Sequence, residues 1–219
     1  MDKTIHCVEK SLRINVRFDF RRNHSVQLTC LSQFSDLDSI LLLELYNLTY
    51  PRYNPKVIVQ DCPPPVLSYS HTLSSLAIDV ENIETLDVIN ILPNTNTIQT
   101  KYFENLPKLN ELNLRACGLK TLTNTFIMGI GNLLFFSVQE NKLAEVPRNL
   151  LKNTRITELD LSQNNLSTLP ENVFKDNNEI RLLNLSRNHI DTLPPLLFSG
   201  LEDLLELDLS HNELPGELI

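Results

Sequence analysis

The sequence lacks long apolar runs and runs of basic residues. Its apolar runs reach only four residues, as at 40–43, whereas about 20 are needed to cross a bilayer. Lys and Arg number 19 against 27 Asp and Glu, so the net charge is −8. We therefore expect no membrane segment in the chain and no nucleic-acid partner, because nucleic acids and anionic membranes bind basic surfaces.

Signatures of catalysis and metal binding are also missing. None of the five histidines is spaced with a Ser, Cys or carboxylate partner in a known arrangement. With only five glycines, Gly129-x-Gly131 is a weak match to a phosphate-binding loop. No Cys-x-x-Cys pair or histidine cluster predicts zinc. We expect a protein that is not an enzyme and that needs no cofactor or metal.

Leucine and asparagine, in contrast, are both in marked excess. Both recur with a period of about 24 residues, in the frame L-x-x-L-x-L-x-x-N-x-L. We number the positions of this frame from 1 to 11. The frame fits 109–119, 133–143, 156–166, 180–190 and 204–214. The residues at position 9 are Cys117, Asn141, Asn164, Asn188 and Asn212.

The frame predicts a stacked fold. Alternation at positions 4 to 6 is typical of a short strand with one apolar face. Stacked units would pair these strands into a parallel sheet on a concave side, with extended or 3₁₀ segments returning on the convex side. An asparagine at position 9 can bond the backbone of its own and the neighbouring unit, and Cys117 there is expected to be a buried free thiol. The pattern predicts an α/β fold, a leucine-rich-repeat solenoid shaped as a horseshoe.

The chain divides into three parts. Residues 1–72 do not fit the frame and contain three cysteines, so we expect a disulfide-stapled N-terminal cap. Residues 73–108 form irregular first repeats, with one weak frame through Leu73, Leu76, Ile78, Ile83 and Leu86 and an irregular stretch at 87–100. Residues 109–219 form the regular repeats and stop inside a repeat. We expect a fragment of a longer solenoid that can self-associate through its uncapped last repeat.

The three cap cysteines cannot all pair with one another. Cys7 and Cys30 flank a plausible hairpin, which makes them the preferred pair. Cys30 with Cys62 is the rival pairing, and a partner upstream of the chain is a third possibility.

The N-terminus has no apolar segment of a signal peptide, which leaves a cytosolic protein or a removed or replaced leader. The cysteine-containing cap favours an extracellular protein. So do four Asn-x-Ser/Thr sequons, at Asn23, Asn47, Asn165 and Asn184.

Two strand-like segments of the predicted cap end in a cysteine. One is Leu12-Arg13-Ile14-Asn15-Val16 leading to Val26-Gln27-Leu28-Thr29-Cys30, and the other is Val57-Ile58-Val59-Gln60-Asp61-Cys62. Both segments resemble the extracellular domain of insect Toll receptors. The rest of the chain is similar to that domain only loosely. The resemblance implies the ligand-binding part of a single-pass receptor in innate-immune or developmental signalling. It also implies a Spätzle-like cystine-knot cytokine bound near the N-terminal repeats, and signalling through receptor dimerisation.

The regular repeats are shared with many extracellular proteins. A secreted leucine-rich-repeat adhesion or matrix protein, or a soluble immune-recognition protein, is therefore the alternative.

Ligand-binding candidates face the predicted concave side. Carboxylates there would steer a basic ligand, and Phe135 beside Leu134 offers an apolar anchor. The simpler interpretation is that these charges serve only solubility and that Phe135 packs against a neighbouring side chain. A glycan on Asn184 would also block part of this face. The candidates are Glu111, Leu134, Phe135, Glu158, Asp160, Leu182 and Glu206.

Overall fold

The computed structural model describes residues 4–9, 12–19, 25–30, 56–62, 64–65, 67–75, 79–91, 98–124, 126–127, 130, 132–175 and 177–215. Within these ranges, ten strands form one sheet in which spatial order follows chain order. The strands are β1 Thr4–Glu9, β2 Leu12–Asp19, β3 Ser25–Cys30, β4 Lys56–Gln60, β5 Thr85–Ile89, β6 Glu111–Arg115, β7 Phe135–Ser137, β8 Glu158–Asp160, β9 Leu182–Asn184 and β10 Glu206–Asp208. The predicted parallel-sheet solenoid is confirmed.

The type of strand pairing changes once along the sheet. β1, β2 and β3 pair antiparallel, and every later pair is parallel. The parallel array therefore begins at β3, inside the segment predicted as a cap. The apolar residues at positions 4 and 6 of β4 to β6 are buried and their neighbours are partly or fully exposed, as expected where successive side chains of a strand point to opposite faces.

The helices lie in the return segments that connect successive strands. α1 spans Tyr69–Ser75, and two 3₁₀ helices span Val80–Asn82 and Thr100–Phe103. Buried aromatic rings contact one another from one repeat to the next in tilted or edge-to-face geometry, with centroids 5.6 to 5.9 Å apart. This row is Tyr69, Phe103, Phe126 and Phe136. It joins the repeats into one apolar core.

Repeat length falls along the chain. The spacing between successive position-4 residues shortens at each step from β3 to β6 and then stays close to the period of the regular frame. These residues are Val26, Val57, Leu86, Leu112, Phe136, Leu159, Leu183 and Leu207. β5 lies partly in the stretch predicted to be irregular. Its frame starts at Ile83, whereas Leu73 of the predicted weak frame lies in α1. Leu76 and Ile78 of that frame are outside the described residues.

The disulfide joins Cys30 to Cys62, so the preferred Cys7–Cys30 pairing is wrong. Ile14 of β2 lies between the two cysteines, opposite Cys7 on one side and Cys30 on the other. Two strand spacings put Cys7 roughly 10 Å from Cys30, beyond the reach of a disulfide. Cys30 and Cys62 end adjacent parallel strands with Cα atoms 5.0 Å apart.

The chain turns away from the sheet at position 8, where a non-glycine residue adopts a positive φ. The value stays between 54° and 58° in seven consecutive repeats. The residues are Asp61, Asn90, Ala116, Glu140, Gln163, Arg187 and His211. Every repeat from β4 onward therefore leaves the sheet by the same left-handed turn.

β10 is the last strand of the described sheet. Its core residues Leu207 and Leu209 are only half-buried, and Leu205 just before it is 80% exposed. Self-association through this edge stays a prediction.

Candidate ligand-binding face

The asparagines at position 9 tie each repeat to the one before it. Asn164 Oδ1 accepts a hydrogen bond from the N–H of Leu143 at 3.1 Å, and its Nδ2 donates to the carbonyls of Val138 and Leu161 at 3.0 and 3.1 Å. The same pattern occurs at Asn141, Asn188 and Asn212. These bonds satisfy buried backbone groups and hold neighbouring strands in register.

Cys117 occupies the same ladder position. Its thiol is free and fully buried, with Sγ 3.4 Å from the carbonyl oxygens of Val88 and Arg115. Burial raises the pKa of Cys117 to about 12, so the thiol stays neutral and unreactive at physiological pH.

Positions 3 and 5 project from the open face of the sheet. Because the strands are parallel and in register, each position forms a row across the repeats. From β4 to β10, the position-3 row is Lys56, Thr85, Glu111, Phe135, Glu158, Leu182 and Glu206. The position-5 row is Ile58, Asp87, Asn113, Ser137, Asp160, Asn184 and Asp208.

Carboxylates in the N-terminal half of this face have side-chain partners. Asp87 is 2.7 Å from Lys56 Nζ and accepts a hydrogen bond from the Asn113 amide at 2.6 Å. Glu111 accepts a hydrogen bond from Thr85 Oγ1 at 3.0 Å. At the end of these strands, Arg115 pairs with Glu140 at 2.6 Å. Local partners therefore already balance much of the charge there.

The C-terminal half forms a shallow depression of about 220 Å³. Its lining residues are Phe135, Glu158, Leu159, Asp160, Leu182, Leu183, Asn184, Glu206 and Asp208. Among the described residues, no cation lies within ion-pair distance of its four carboxylates. This part of the face is therefore acidic and has exposed apolar atoms from Phe135 and Leu182.

Backbone hydrogen bonds hold two of these carboxylates in place. Asp160 Oδ1 accepts from the N–H of Ser162 at 2.8 Å, and Asp208 Oδ1 accepts from the N–H of Ser210 at 2.9 Å. Hydrogen bonds from the side chain and backbone of Ser210 lower the pKa of Asp208, with smaller contributions from Ser186 and His211. Asp208 therefore remains ionised at physiological pH.

The structure brings together five of the seven predicted residues, namely Phe135, Glu158, Asp160, Leu182 and Glu206. Glu111 lies on the same face but outside the depression. Leu134 is 43% exposed and borders a separate hollow of about 360 Å³ near Lys108 and Arg155. The predicted set left out Asn184 and Asp208, which line the depression because they occupy position 5.

Two of the four sequons lie in the described part of the chain. Asn165 is exposed at position 10, away from the sheet face. Asn184 lies in β9, where its Oδ1 accepts hydrogen bonds from the N–H and hydroxyl of Ser186 at 3.0 and 2.7 Å. Asn23 and Asn47 are outside the described residues.

Within the described ranges, no group of three or more His, Cys, Asp or Glu residues could hold a metal ion. No helix in the same ranges has the length and hydropathy of a bilayer span.

Comparisons with known proteins identify the repeats. The leucine rich repeat pattern matches residues 154–214, and the BspA type leucine rich repeat region matches residues 80–181. Among curated proteins, no sequence matches the chain.

Similar solved structures include Toll-type receptors. The TLR13–ssRNA13 complex aligns over 73% of this chain and 25% of that receptor chain, with 19% identity and a TM-score of 0.50. The glycosylated Toll–Spatzle complex of Drosophila aligns over 98% of this chain and 35% of that chain, with 16% identity and a TM-score of 0.49. This chain therefore spans only 25% and 35% of the two matched chains. At 19% identity the likeness to the TLR13 complex concerns the fold alone, and the repeat matches together with the sheet topology show that the chain folds as a leucine-rich-repeat solenoid.

Proposed function

We propose that this chain is the ligand-binding extracellular part of a Toll-type signalling receptor in innate immunity or development. The observation that carries the proposal is the depression over β7 to β10, where an aromatic side chain is partly exposed among carboxylates without a paired cation. A monomeric domain gains nothing from exposing Phe135 there, whereas a partner that covers it gains apolar contact. The solenoid fold and the cap segments that resemble insect Toll support the receptor assignment.

The ligand class follows from the charge of the face. The carboxylates of β8 and β10 favour a basic protein surface, and their long-range field speeds association with it. A Spätzle-like cystine-knot cytokine is the ligand class that the resemblance implies, and ligand-induced dimerisation is the associated signalling step. The Cys30–Cys62 disulfide supports an extracellular location, because such bonds persist in oxidising compartments.

The test measures binding of a Spätzle-class cystine-knot cytokine to the chain secreted from insect cells. We expect Phe135→Ala to weaken binding by about 2 kcal/mol, or roughly 30-fold in Kd. Leu196→Ala is the matched control, because Leu196 is 63% exposed on a return segment away from the sheet face. Light scattering of the complex would show two receptor chains in each complex.

Two outcomes would contradict the proposal. Equal affinities of the wild type and the Phe135→Ala variant for the cytokine would show that the depression is not part of the binding surface. No binding at all by the folded, secreted chain would favour the secreted adhesion, matrix or immune-recognition alternative.

A further inference from the structure

Apolar and acidic residues alternate across the strands of the depression. At position 3, Phe135, Glu158, Leu182 and Glu206 follow one another on β7 to β10, in direct register. Adjacent strands lie about 4.8 Å apart, so Glu158 and Glu206 each have an apolar neighbour within one strand spacing. The depression is therefore a regular pattern rather than a uniform acidic patch.

The four carboxylates form two pairs. Glu158 and Asp160 share a face of β8, and Glu206 and Asp208 share the same face of β10. β9 lies between these strands and presents the uncharged Leu182 and Asn184. The two acidic pairs are therefore roughly 10 Å apart, which is two strand spacings.

No cation in the described part of the chain forms an ion pair with these carboxylates, although His211 lies close enough to lower the pKa of Asp208. Arg181 precedes β9 and Arg187 follows it, and both are exposed at the ends of the strand. Within the described residues, neither lies within ion-pair distance of the four carboxylates. The paired N-terminal half of the face contrasts with this arrangement, because Lys56 and Arg115 already engage carboxylates there.

We propose that the depression binds two basic side chains, one at each acidic pair, from one extended segment of a protein ligand. This inference rests on the proposed function and places the contact on β7 to β10 rather than near the N-terminal repeats. One cation would bind Glu158 and Asp160, and the other would bind Glu206 and Asp208. Arginine fits better than lysine, because its planar guanidinium pairs with carboxylates through two bonds and stacks on an aromatic ring such as Phe135.

The spacing predicts which segments fit. In a polyproline II segment, residues three apart lie on one face and are about 9.3 Å apart, which matches the separation of the acidic pairs. Two adjacent basic residues point in different directions, so only one of them can enter the depression at a time.

The test uses two capped peptides of equal charge and composition, Arg-Pro-Pro-Arg and Pro-Arg-Arg-Pro. Binding to the whole chain is followed by NMR chemical-shift titration. We expect Arg-Pro-Pro-Arg to bind about fivefold more tightly, because its second ion pair adds roughly 1 kcal/mol. We expect its shifts to cluster on β7 to β10.

Variants separate the two acidic pairs. We expect Glu158→Gln and Glu206→Gln each to reduce the preference for Arg-Pro-Pro-Arg to about twofold or less. Glu171→Gln is the matched control, since it removes one exposed charge away from the sheet face and should keep the preference. The amide spectrum of each variant shows whether the fold is retained.

Equal affinities for the two peptides, or shifts spread over other surfaces, would overturn the inference and indicate only bulk charge attraction. Such a result would leave the proposed receptor function standing if Phe135→Ala still weakened cytokine binding. If Phe135→Ala did not change cytokine binding but the preference for Arg-Pro-Pro-Arg were retained, the proposed function would be contradicted and the inference about the depression would stand.

Discussion

At the residue scale, position 8 carries a backbone conformation that side chains disfavour. A positive φ near 56° brings Cβ close to the following carbonyl, at a cost of roughly 1–2 kcal/mol for most residues. Asn and Asp reduce this cost by local hydrogen bonding, and Asn90 and Asp61 also bond each other through their side chains at 2.6 Å. Ala116, with a φ of 54°, has no polar side chain to do so.

Replacing Ala116 with glycine should therefore stabilise the protein. We expect Ala116→Gly to raise the free energy of unfolding by about 0.5–1 kcal/mol, because relief of the left-handed strain exceeds the entropy gained by the unfolded chain. Urea denaturation followed by circular dichroism measures the change. Ala144→Gly is the matched control, since Ala144 is exposed and is not among the positive-φ residues. We expect this substitution to lower the free energy of unfolding by about 0.5–1 kcal/mol. Destabilisation by both substitutions would contradict the strain argument.

The residues at position 9 show what could be predicted from a single chain. The regular spacing of Asn141, Asn164 and Asn188 predicts the ladder that the structure shows. The left-handed turn at position 8 could not be predicted, because its seven residues share no side-chain type. Its cause is the path of the backbone between the strand and the buried residue at position 9.

At the element scale, β3 and β4 begin the parallel array and are linked by the disulfide. The sequence predicts strands at both places but not their place in the array, because the first repeats are longer than the regular frame and do not fit it. The cysteine pairing depends on the same point. Cys7 and Cys30 flank a hairpin in the sequence, whereas the sheet places β2 between them.

Removing the bridge should loosen the first parallel strands only. The cysteines are 32 residues apart, and closing a loop of that size restricts the unfolded chain by about 3.7 kcal/mol. Because repeats depend mainly on their neighbours, we expect the double substitution of Cys30 and Cys62 by alanine to speed amide hydrogen exchange in β3 and β4. Exchange in β8 and β9 should change little.

Cys117→Ala is the control for that experiment, because it removes a buried sulfur and keeps the bridge. Unchanged exchange in β3 and β4 of the double variant would show that packing alone holds the N-terminal strands. Equal acceleration in all strands would show that the solenoid unfolds as one unit.

At the scale of the whole molecule, the two halves of the sheet face differ in how their charges are balanced. In the N-terminal half, Lys56 and Arg115 form ion pairs with Asp87 and Glu140, whereas in the C-terminal half no cation among the described residues lies within ion-pair distance of the four carboxylates of the depression. Net charge predicts an acidic protein but does not predict this division, because it depends on which side chains become neighbours across strands. For instance, Lys56 at position 3 of β4 forms an ion pair with Asp87 at position 5 of β5.

The same division predicts how the sequons are used. We expect the secreted chain to carry a glycan on Asn165 and none on Asn184, because a glycan on Asn184 would fill the depression. Enzymatic release of N-glycans in heavy-oxygen water, followed by peptide mass spectrometry, reports both positions. Full occupancy of Asn184 in a chain that still binds its ligand would contradict the proposed binding surface.

The asparagine ladder also gives the solenoid a direction of assembly. The carboxamides of Asn164 and Asn188 reach back to backbone groups of the preceding repeat as well as their own. A repeat can thus complete its polar contacts only against a neighbour that is already in place. During synthesis the N-terminal repeats emerge first, so each new turn meets its neighbour already made and supplies the asparagine that completes the hydrogen bonds of that neighbour's backbone. Growth towards the C-terminus then follows the order in which the ribosome supplies the chain.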